Sequence, residues 1–275
     1  MSTIVLTGAS DGIGRAAAIA LAREGHQLVL VGRNPSKVAD VVAAAEAAGG
    51  RDVVGLVADF AELAQVRRVA AEIRGAVASI DVLINNAGTV FHTREITVDG
   101  NEATFQVNHL GSVLLTEALI DLIPAGGRIV ITASSGHTVG KLDFSDLLLD
   151  KGYQYFMAYG RSKLCNVLMA RYWAREFTER QIVVNSFHPG AVSTSIWSGA
   201  PKIAEFVIDT LVRRFLRSSE KGAETMVWLA TSDAAAGLSG GYYIDCVEKP
   251  VSKLARVDEL GVKLVAVSHE LIANA

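Results

Sequence analysis

"TIVLTGASDGIGRAAAIALAREG", residues 3–25, decides how the chain begins to fold. "TIVLTG" is a short β-branched apolar run of the kind that forms a strand buried on both faces. "GRAAAIALAREG" is an alanine-rich helical run that stops at Gly25. Between them, "TGASDGIG" (Thr7 to Gly14) places glycines at positions 8, 12 and 14. Lacking side chains there, the backbone turns sharply and brings the free N–H groups of the helix start up to an anion. The spacing G-x-x-x-G-x-G departs from the common G-x-G-x-x-G. Alone, such a turn also closes an ordinary strand–helix corner. Between a buried strand and an alanine-rich helix it reads as a nucleotide loop.

The alternation continues outward. Strand-like "QLVLVG", "DVVGLVAD", "IDVLINNAG", "GRIVITAS" and "IVVNSFHPG" are separated by helical runs. These include "PSKVADVVAAAEAAGG", "LAQVRRVAAEIRGAV", a long helix "NEATFQVNHLGSVLLTEALIDLI" and "AYGRSKLCNVLMARYWAREF". Near the end, "EKGAETMVWLAT" reads as a helix and "GGYYI" as a last short strand. Strands alternating with helices of this length give right-handed βαβ units, hence a doubly wound parallel α/β sheet with helices on both faces. The 275 residues suit one such domain, 1–275. Ligands of open α/β sheets bind beyond the carboxyl ends of the strands. The least regular stretches, 136–156 and 190–217, follow strands at that edge, so residues 193–218 are expected to cover a substrate.

Bulk properties exclude several classes. The net charge of −3 gives no global attraction to nucleic acid. No run approaches the ~20 apolar residues of a membrane span. The closest, "IAEFVIDTLVRRFL" (Ile203 to Leu216), is amphipathic and suits either covering an apolar pocket or touching a membrane surface. Cys165 and Cys246 show no metal or redox spacing and read as reduced thiols. With no leader pattern at the start, a cytoplasmic location is expected. His188 has no second ligand at useful spacing, so no metal is expected; His137 and His109 read as structural or pocket-lining.

The second strand ends "VGRNPSK". Sites for NAD usually place an acidic residue here. This chain offers Arg33, with Asn34 and Lys37 close by. A guanidinium pairs with a 2′-phosphate in forked geometry, which favours NADP(H) over NAD(H). Asp11 in the glycine loop counts against a second phosphate. Asp59 in "VADF" suits the adenine amino group, with the Phe60 backbone beside it; it also suits an N-cap for the helix beginning near Glu62.

"YGRSK" places Tyr159 and Lys163 four positions apart, about 6 Å along a helix and on one face. Alone this is an ordinary pair on a solvated surface. A nearby cation also favours tyrosinate, which would make Tyr159 an acid/base group. Asn108 lies mid-helix, where asparagine is a poor helix former.

Taken in order, "TGASDGIG", "NNAG" (85–88), Asn108 in "FQVNHLG", the serine of "RIVITASSGH", "YGRSK" and "HPG" resemble the short-chain dehydrogenase/reductase family. The long stretch 141–168, "FHPGAVSTSI" and the tail 238–271 are similar to the branch holding retinol dehydrogenases, WW-domain oxidoreductase and protochlorophyllide reductase. The resemblance implies a Rossmann-type sheet of about seven strands and hydride transfer between NAD(P) and an alcohol or carbonyl. It implies Asn108, Ser134, Tyr159 and Lys163 as the catalytic set, with Ser135 as the alternative serine one position off. Asn108 would distort its helix and link through a water to Lys163. The cofactor would be held by Gly8, Ser10, Asp11, Gly12, Ile13, Gly14, Arg33, Asn34, Lys37, Asp59, Phe60, Asn86, Ala87 and Gly88, with Tyr159 and Lys163. Asn85 would fasten neighbouring strands. Pro189, Gly190, Val192 and Thr194 would lie along the nicotinamide. The membrane anchor of many animal members does not carry over.

Ile196, Trp197, Phe206, Leu211, Phe156 and Met157 are expected to wall a pocket for a small lipophilic carbonyl or alcohol. The helices around Leu114 and Leu168 resemble the faces by which the family forms homodimers and homotetramers, and are equally readable as core. A non-catalytic NADP(H) sensor is the alternative on the same fold, and a nucleotide-binding transferase would have no need of the Tyr159–Lys163 pair.

Overall fold

Alternation along each strand builds the two layers of this molecule. In β1 (Thr3–Thr7), Ile4 and Leu6 point into one core and Val5 into the other, all fully buried. The computed structural model describes residues 1–191 and 217–275. Among these, β2 (Gln27–Gly32), β3 (Arg51–Val57), β4 (Val82–Asn85), β5 (Arg128–Thr132), β6 (Val183–Phe187), β7 (Tyr242–Ile244) and β8 (Val247–Glu248) join β1 in one sheet. Its order is β3-β2-β1-β4-β5-β6-β7-β8. All pairs are parallel except β7–β8. The chain reverses its direction of winding between β1 and β4, so the ligand crevice opens there, beyond the strand ends.

The sheet carries one strand beyond the expected seven. β8 returns antiparallel through Asp245 and Cys246, which both take positive φ (53° and 60°). Positive φ at both central positions is the signature of a two-residue hairpin turn.

One face carries α1 (Gly12–Arg23), α2 (Pro35–Ala47) and, later in the chain, Ser219–Thr231. The other carries α3 (Leu63–Ala76), α4 (Ala103–Phe105), α5 (Gly111–Leu119) and α6 (Tyr155–Glu176). Ser219–Thr231 is α7, and α8 is the C-terminal Asp258–Ala273. The single long helix expected over 101–123 is interrupted: a π-helical segment, Gln106–Leu110, separates α4 from α5. Asn108 sits at its centre, so the distortion expected there is present.

The C-terminal helix α8 was not resolved from the sequence pattern. It lies on α6, with Gly261 close to Tyr172 and the Leu168 carbonyl, and Leu168 is buried core. That face of α6 is therefore covered within the chain. Arg67 Nη2 donates to the Ile272 carbonyl (2.8 Å), and the Arg175–Asp258 ion pair (2.5 Å) and a His269–Glu117 hydrogen bond (2.8 Å) flank the seam. Beneath it, His109 is buried between Asn166 Oδ1 (3.3 Å) and Ser268 Oγ (3.0 Å). The amide oxygen only accepts, so His109 Nδ1 donates and Nε2 receives the serine hydroxyl. His109 is structural, one of the two roles expected. No described helix is long and apolar enough to cross a membrane. Both cysteines are free.

Burial lowers the His109 pKa from 6.5 to about 4. The folded value lies below the unfolded one, so the neutral ring stabilises the fold fully above pH 6.5, and this is lost as pH falls toward 4. The loss is about 3 kcal/mol. Denaturant melts from pH 7 to 4 should therefore fall less steeply for His109→Gln than for wild type.

Candidate active site

The crevice between β1 and β4 is held by short polar ties. Gly8 takes φ +62° and passes so close to Ala87 that a Cβ would lie 2.9 Å from the Ala87 Cα. Thr7 Oγ1 accepts from the Asn86 and Ala87 amides (2.9 and 3.0 Å). Asn86 Nδ2 donates to the Thr7 and Gly8 carbonyls, and its Oδ1 accepts from Thr132 Oγ1 (3.0 Å). Asn86 thus fastens β1 to β5. The sequence reading gave that role to Asn85, whose amide instead reaches Thr116 on α5 (2.8 Å). The cause is period-2 alternation: neighbouring residues of β4 face opposite layers.

The phosphate end departs from expectation in its charge. Asp11 caps α1 by accepting from the Gly12 amide (2.8 Å), and Lys37 Nζ pairs with its other oxygen at 2.5 Å. Lys37 therefore answers the charge that counted against a phosphate. Asn34 Oδ1 caps α2 by accepting from the Lys37 amide (3.1 Å). Arg33, two-thirds exposed, stands 4.0 Å from Asp59 at the mouth. Asp59 is not the N-cap of α3. Its Oδ1 accepts from Ala61 in the preceding turn (2.9 Å), and Asp99, distant in sequence, takes the Leu63 amide (2.8 Å).

At the other end, β5 delivers Ser134 and α6 delivers Tyr159 and Lys163. Ser134 is buried and hydrogen-bonded to the Tyr159 side chain, whereas Ser135 is exposed. Both serines left open by the sequence line the cavity; Ser134 is the buried one and bonds Tyr159. Lys163 is 2% exposed; its Nζ donates to the Thr132 carbonyl (3.1 Å) and lies 5.6 Å from the Tyr159 ring centre. Burial lowers the Lys163 pKa to about 8 and raises that of Tyr159, with the Ser134 hydrogen bond opposing the rise. For Tyr159, burial outweighs the Ser134 hydrogen bond. Asn108 stands behind both. Its Oδ1 accepts from the Thr89 amide (2.7 Å), and its Nδ2 donates to the Thr89 carbonyl and Ser162 Oγ (both 3.0 Å). Both Asn108 Oδ1 and Lys163 Nζ abut Gly88, where a Cβ would lie 3.2 and 3.4 Å from them.

One cavity of about 1020 Å³ joins the two ends. Gly8, Ser10, Asp11, Gly12, Ile13, Arg33, Asn34, Lys37, Asp59, Phe60, Asn86, Ala87, Gly88, Ser134, Tyr159, Lys163, Pro189 and Gly190 line it. Gly14 and Asn108 are not in the lining. Gly14 is packed beneath the loop, and Asn108 is committed to Thr89 and Ser162. Phe156 lines the cavity and Met157 does not. Val192, Thr194, Ile196, Trp197, Phe206 and Leu211 lie outside the described residues, as does 203–216.

Several lining residues were not singled out, among them Val31, Gly32 and Ala58, whereas Thr138 and Val139 fall in the stretch 136–156 expected beside the ligand. A Cβ on Gly32 would come within 2.6 Å of Ser10 Oγ, so the glycine closing "QLVLVG" was a readable sign of close approach. Arg217 lies across Gly190, donates its amide to the Ala191 carbonyl (2.8 Å) and pairs with Asp245.

A family model described as short chain dehydrogenase matches residues 2–202. A Streptomyces protein provisionally named daunorubicin C-13 ketoreductase, DnrU, is 43% identical over 273 residues, covering 99% of this chain and 93% of the relative. Mouse retinol dehydrogenase 14 is 33% identical, covering 98% and 85%. Among solved structures, a short chain dehydrogenase from Burkholderia cenocepacia in complex with NADP superposes with a TM-score of 0.71 at 25% identity, over 87% of this chain and 94% of that one. An uncharacterized Mycobacterium paratuberculosis protein reaches 0.79 at 27% identity, over 99% and 94%.

The glycine cradle makes a prediction of its own. A Cβ on Gly14 would lie 2.0 Å from the Gly8 carbonyl oxygen, while Gly75 has nothing within 4 Å. Gly14→Ala should destabilise by about 1–3 kcal/mol or more, and Gly75→Ala should leave Tm unchanged or slightly raised, both read by thermal melting.

Proposed function

The chain belongs to the short-chain dehydrogenase family, and on that premise we propose that it transfers a hydride between NADP(H) and a lipophilic ketone or secondary alcohol. The observation that carries this reading is the convergence of Ser134, Tyr159 and Lys163 on one cavity whose far end carries Arg33 and the capped start of α2. The residues present fit NADP(H). Gly8 lies against Ala87 and Gly14 against the Gly8 carbonyl, so no side chain blocks a pyrophosphate's approach to the start of α1, where Asp11 takes the Gly12 amide. Arg33 and the α2 N-terminus suit a 2′-phosphate, and Lys37 already offsets Asp11.

When bound, the cofactor supplies the hydride that adds to the carbonyl carbon. Ser134 Oγ donates a hydrogen bond to the carbonyl oxygen, which strengthens as that oxygen gains charge. The Tyr159 hydroxyl gives its proton to the resulting alkoxide; in oxidation it takes the alcohol's proton. Lys163, ionised at neutral pH despite its lowered pKa, stabilises the tyrosinate left behind. Asn108 holds the Thr89 strand end and Ser162 of α6 together, which fixes the approach of Lys163. The exposed apolar side chains Val139 and Phe156 at the cavity support a lipophilic substrate. The ketoreductase and retinol dehydrogenase names of the relatives point the same way.

The test is NADPH oxidation by the purified protein with a polycyclic aryl ketone, a retinoid aldehyde, a steroid ketone and a long-chain aldehyde. Tyr159→Phe should lower turnover at least ~100-fold, the minimum expected for loss of a general acid, with NADPH affinity unchanged. Ser134→Ala should lose activity and Ser135→Ala should keep it. Binding of NADPH with no turnover of any carbonyl would favour the sensor. Arg33→Ala should weaken NADPH roughly 10–100-fold by isothermal titration, the worth of a charge-assisted contact, and leave NADH unchanged.

A further inference from the structure

Two buried polar atoms beside the site have no hydrogen-bond partner among the described residues: Tyr242 Oη and His188 Nδ1. Tyr242 is 2% exposed. A buried hydroxyl left unpaired bears its desolvation cost uncompensated, and native proteins rarely leave one so. The sheet register puts the two groups on one face. Ser186 is the partner of Tyr242, and His188 is two residues beyond Ser186, so both side chains point toward the layer that holds α6. His188 lines the cavity floor.

A third ring fixes this pair against the serine and tyrosine. His137 packs edge-on against Tyr242, with ring centres 4.8 Å apart. Its Nδ1 donates to the Ser134 carbonyl (2.7 Å) and its Nε2 accepts the Ser252 amide (3.2 Å). Both His137 nitrogens are thus used, and it has no group left for Tyr242 or His188.

We propose that Tyr242 and His188 hold a single water that hydrogen-bonds to Tyr159, making Tyr242 a positioning residue for the ionised form of that tyrosine. The water accepts from the Tyr242 hydroxyl, donates one hydrogen to His188 Nδ1 and donates the other to Tyr159 Oη. Three partners are what a buried water normally has. The donation to Tyr159 is stronger when that oxygen is anionic, so it favours tyrosinate over tyrosine. His188 is suited to accept, because burial, first, and then Arg217 and His137 lower its pKa to about 4, against Asp245. Tyr242 is shifted up by burial and by the charge on Tyr159, so it stays a donor while Tyr159 ionises. Ser134 and Lys163 also face Tyr159. The inference rests on Tyr159 being the acid/base group, which turnover of Tyr159→Phe tests separately.

The experiment reads Tyr159 directly and needs no substrate. The protein is loaded with NADP+ and titrated with base while tyrosinate absorbance is followed. Subtraction of the matched Tyr159→Phe protein isolates Tyr159. Tyr242→Phe, which removes only a hydroxyl, should raise the Tyr159 pKa by about one unit, a tenfold change in the ionisation constant. His188→Leu should raise it in the same direction. The double variant should shift no further than the larger single one, because both changes remove the same water. Thermal melts confirm that the variants are folded; should Tyr242→Phe fail to fold, the rise in His188→Leu and its reversal in His188→Gln decide the matter. A Tyr159 pKa unmoved by Tyr242→Phe, or shifts that simply add, would overturn the proposal.

Discussion

Thr132, the last residue of β5, joins the two halves of the site. Its carbonyl accepts from Lys163 Nζ and Asn166 Nδ2, both at 3.1 Å. Its hydroxyl donates to Asn86, which in turn holds the Thr7 and Gly8 carbonyls of the glycine loop. The glycine loop and the helix that carries Tyr159 and Lys163 are therefore tied to one strand end. An ammonium as buried as Lys163 persists only when hydrogen-bonded, so the tie to Thr132 fixes where the lysine stands. Its height above β5 then sets the place of Tyr159 one turn earlier.

Burial acts in opposite directions on the two groups. It disfavours the charged form of each, lowering Lys163 and raising Tyr159. Burial alone leaves Lys163 with a pKa of about 8, still mostly ammonium at neutral pH, beside a neutral phenol. In the proposed function, Ser134, Lys163, the positive nicotinamide of an oxidised cofactor and the proposed hydrogen bond from the Tyr242 side would each favour tyrosinate. On that reading, a phenol kept neutral until a cofactor binds spares the cavity an unpaired buried charge.

Much of this was legible in the sequence, because it rests on local pattern. β-branched runs gave the strands, and the glycine spacing with its flanking elements gave the nucleotide loop. The i,i+4 spacing gave the Tyr159–Lys163 pair. What was not legible depends on contacts between distant segments. Asn86 rather than Asn85 fastens the strands because of the face it occupies. Asp99 caps α3 from 36 residues away. Ser134 is buried against Tyr159 while Ser135 is exposed, and Asp11 is paired with Lys37 across the crevice. The C-terminal helix α8 has an amphipathic pattern that carried no motif, and its docking on α6 shows only in three dimensions. His188 was read for metals alone, and Tyr242 simply as part of a short strand; their significance comes from parallel register.

The central claim is that the Thr132-anchored pair delivers a proton to an oxygen while hydride leaves NADPH for the adjoining carbon. The most direct measurement follows nicotinamide-deuterated NADPH into the alcohol product by mass spectrometry, in wild type and Tyr159→Phe. The account predicts one deuterium on the carbinol carbon for each NADPH consumed by the wild type, and negligible transfer in the variant. Consumption of NADPH without deuterium in the product, or transfer at the wild-type rate in Tyr159→Phe, would contradict it.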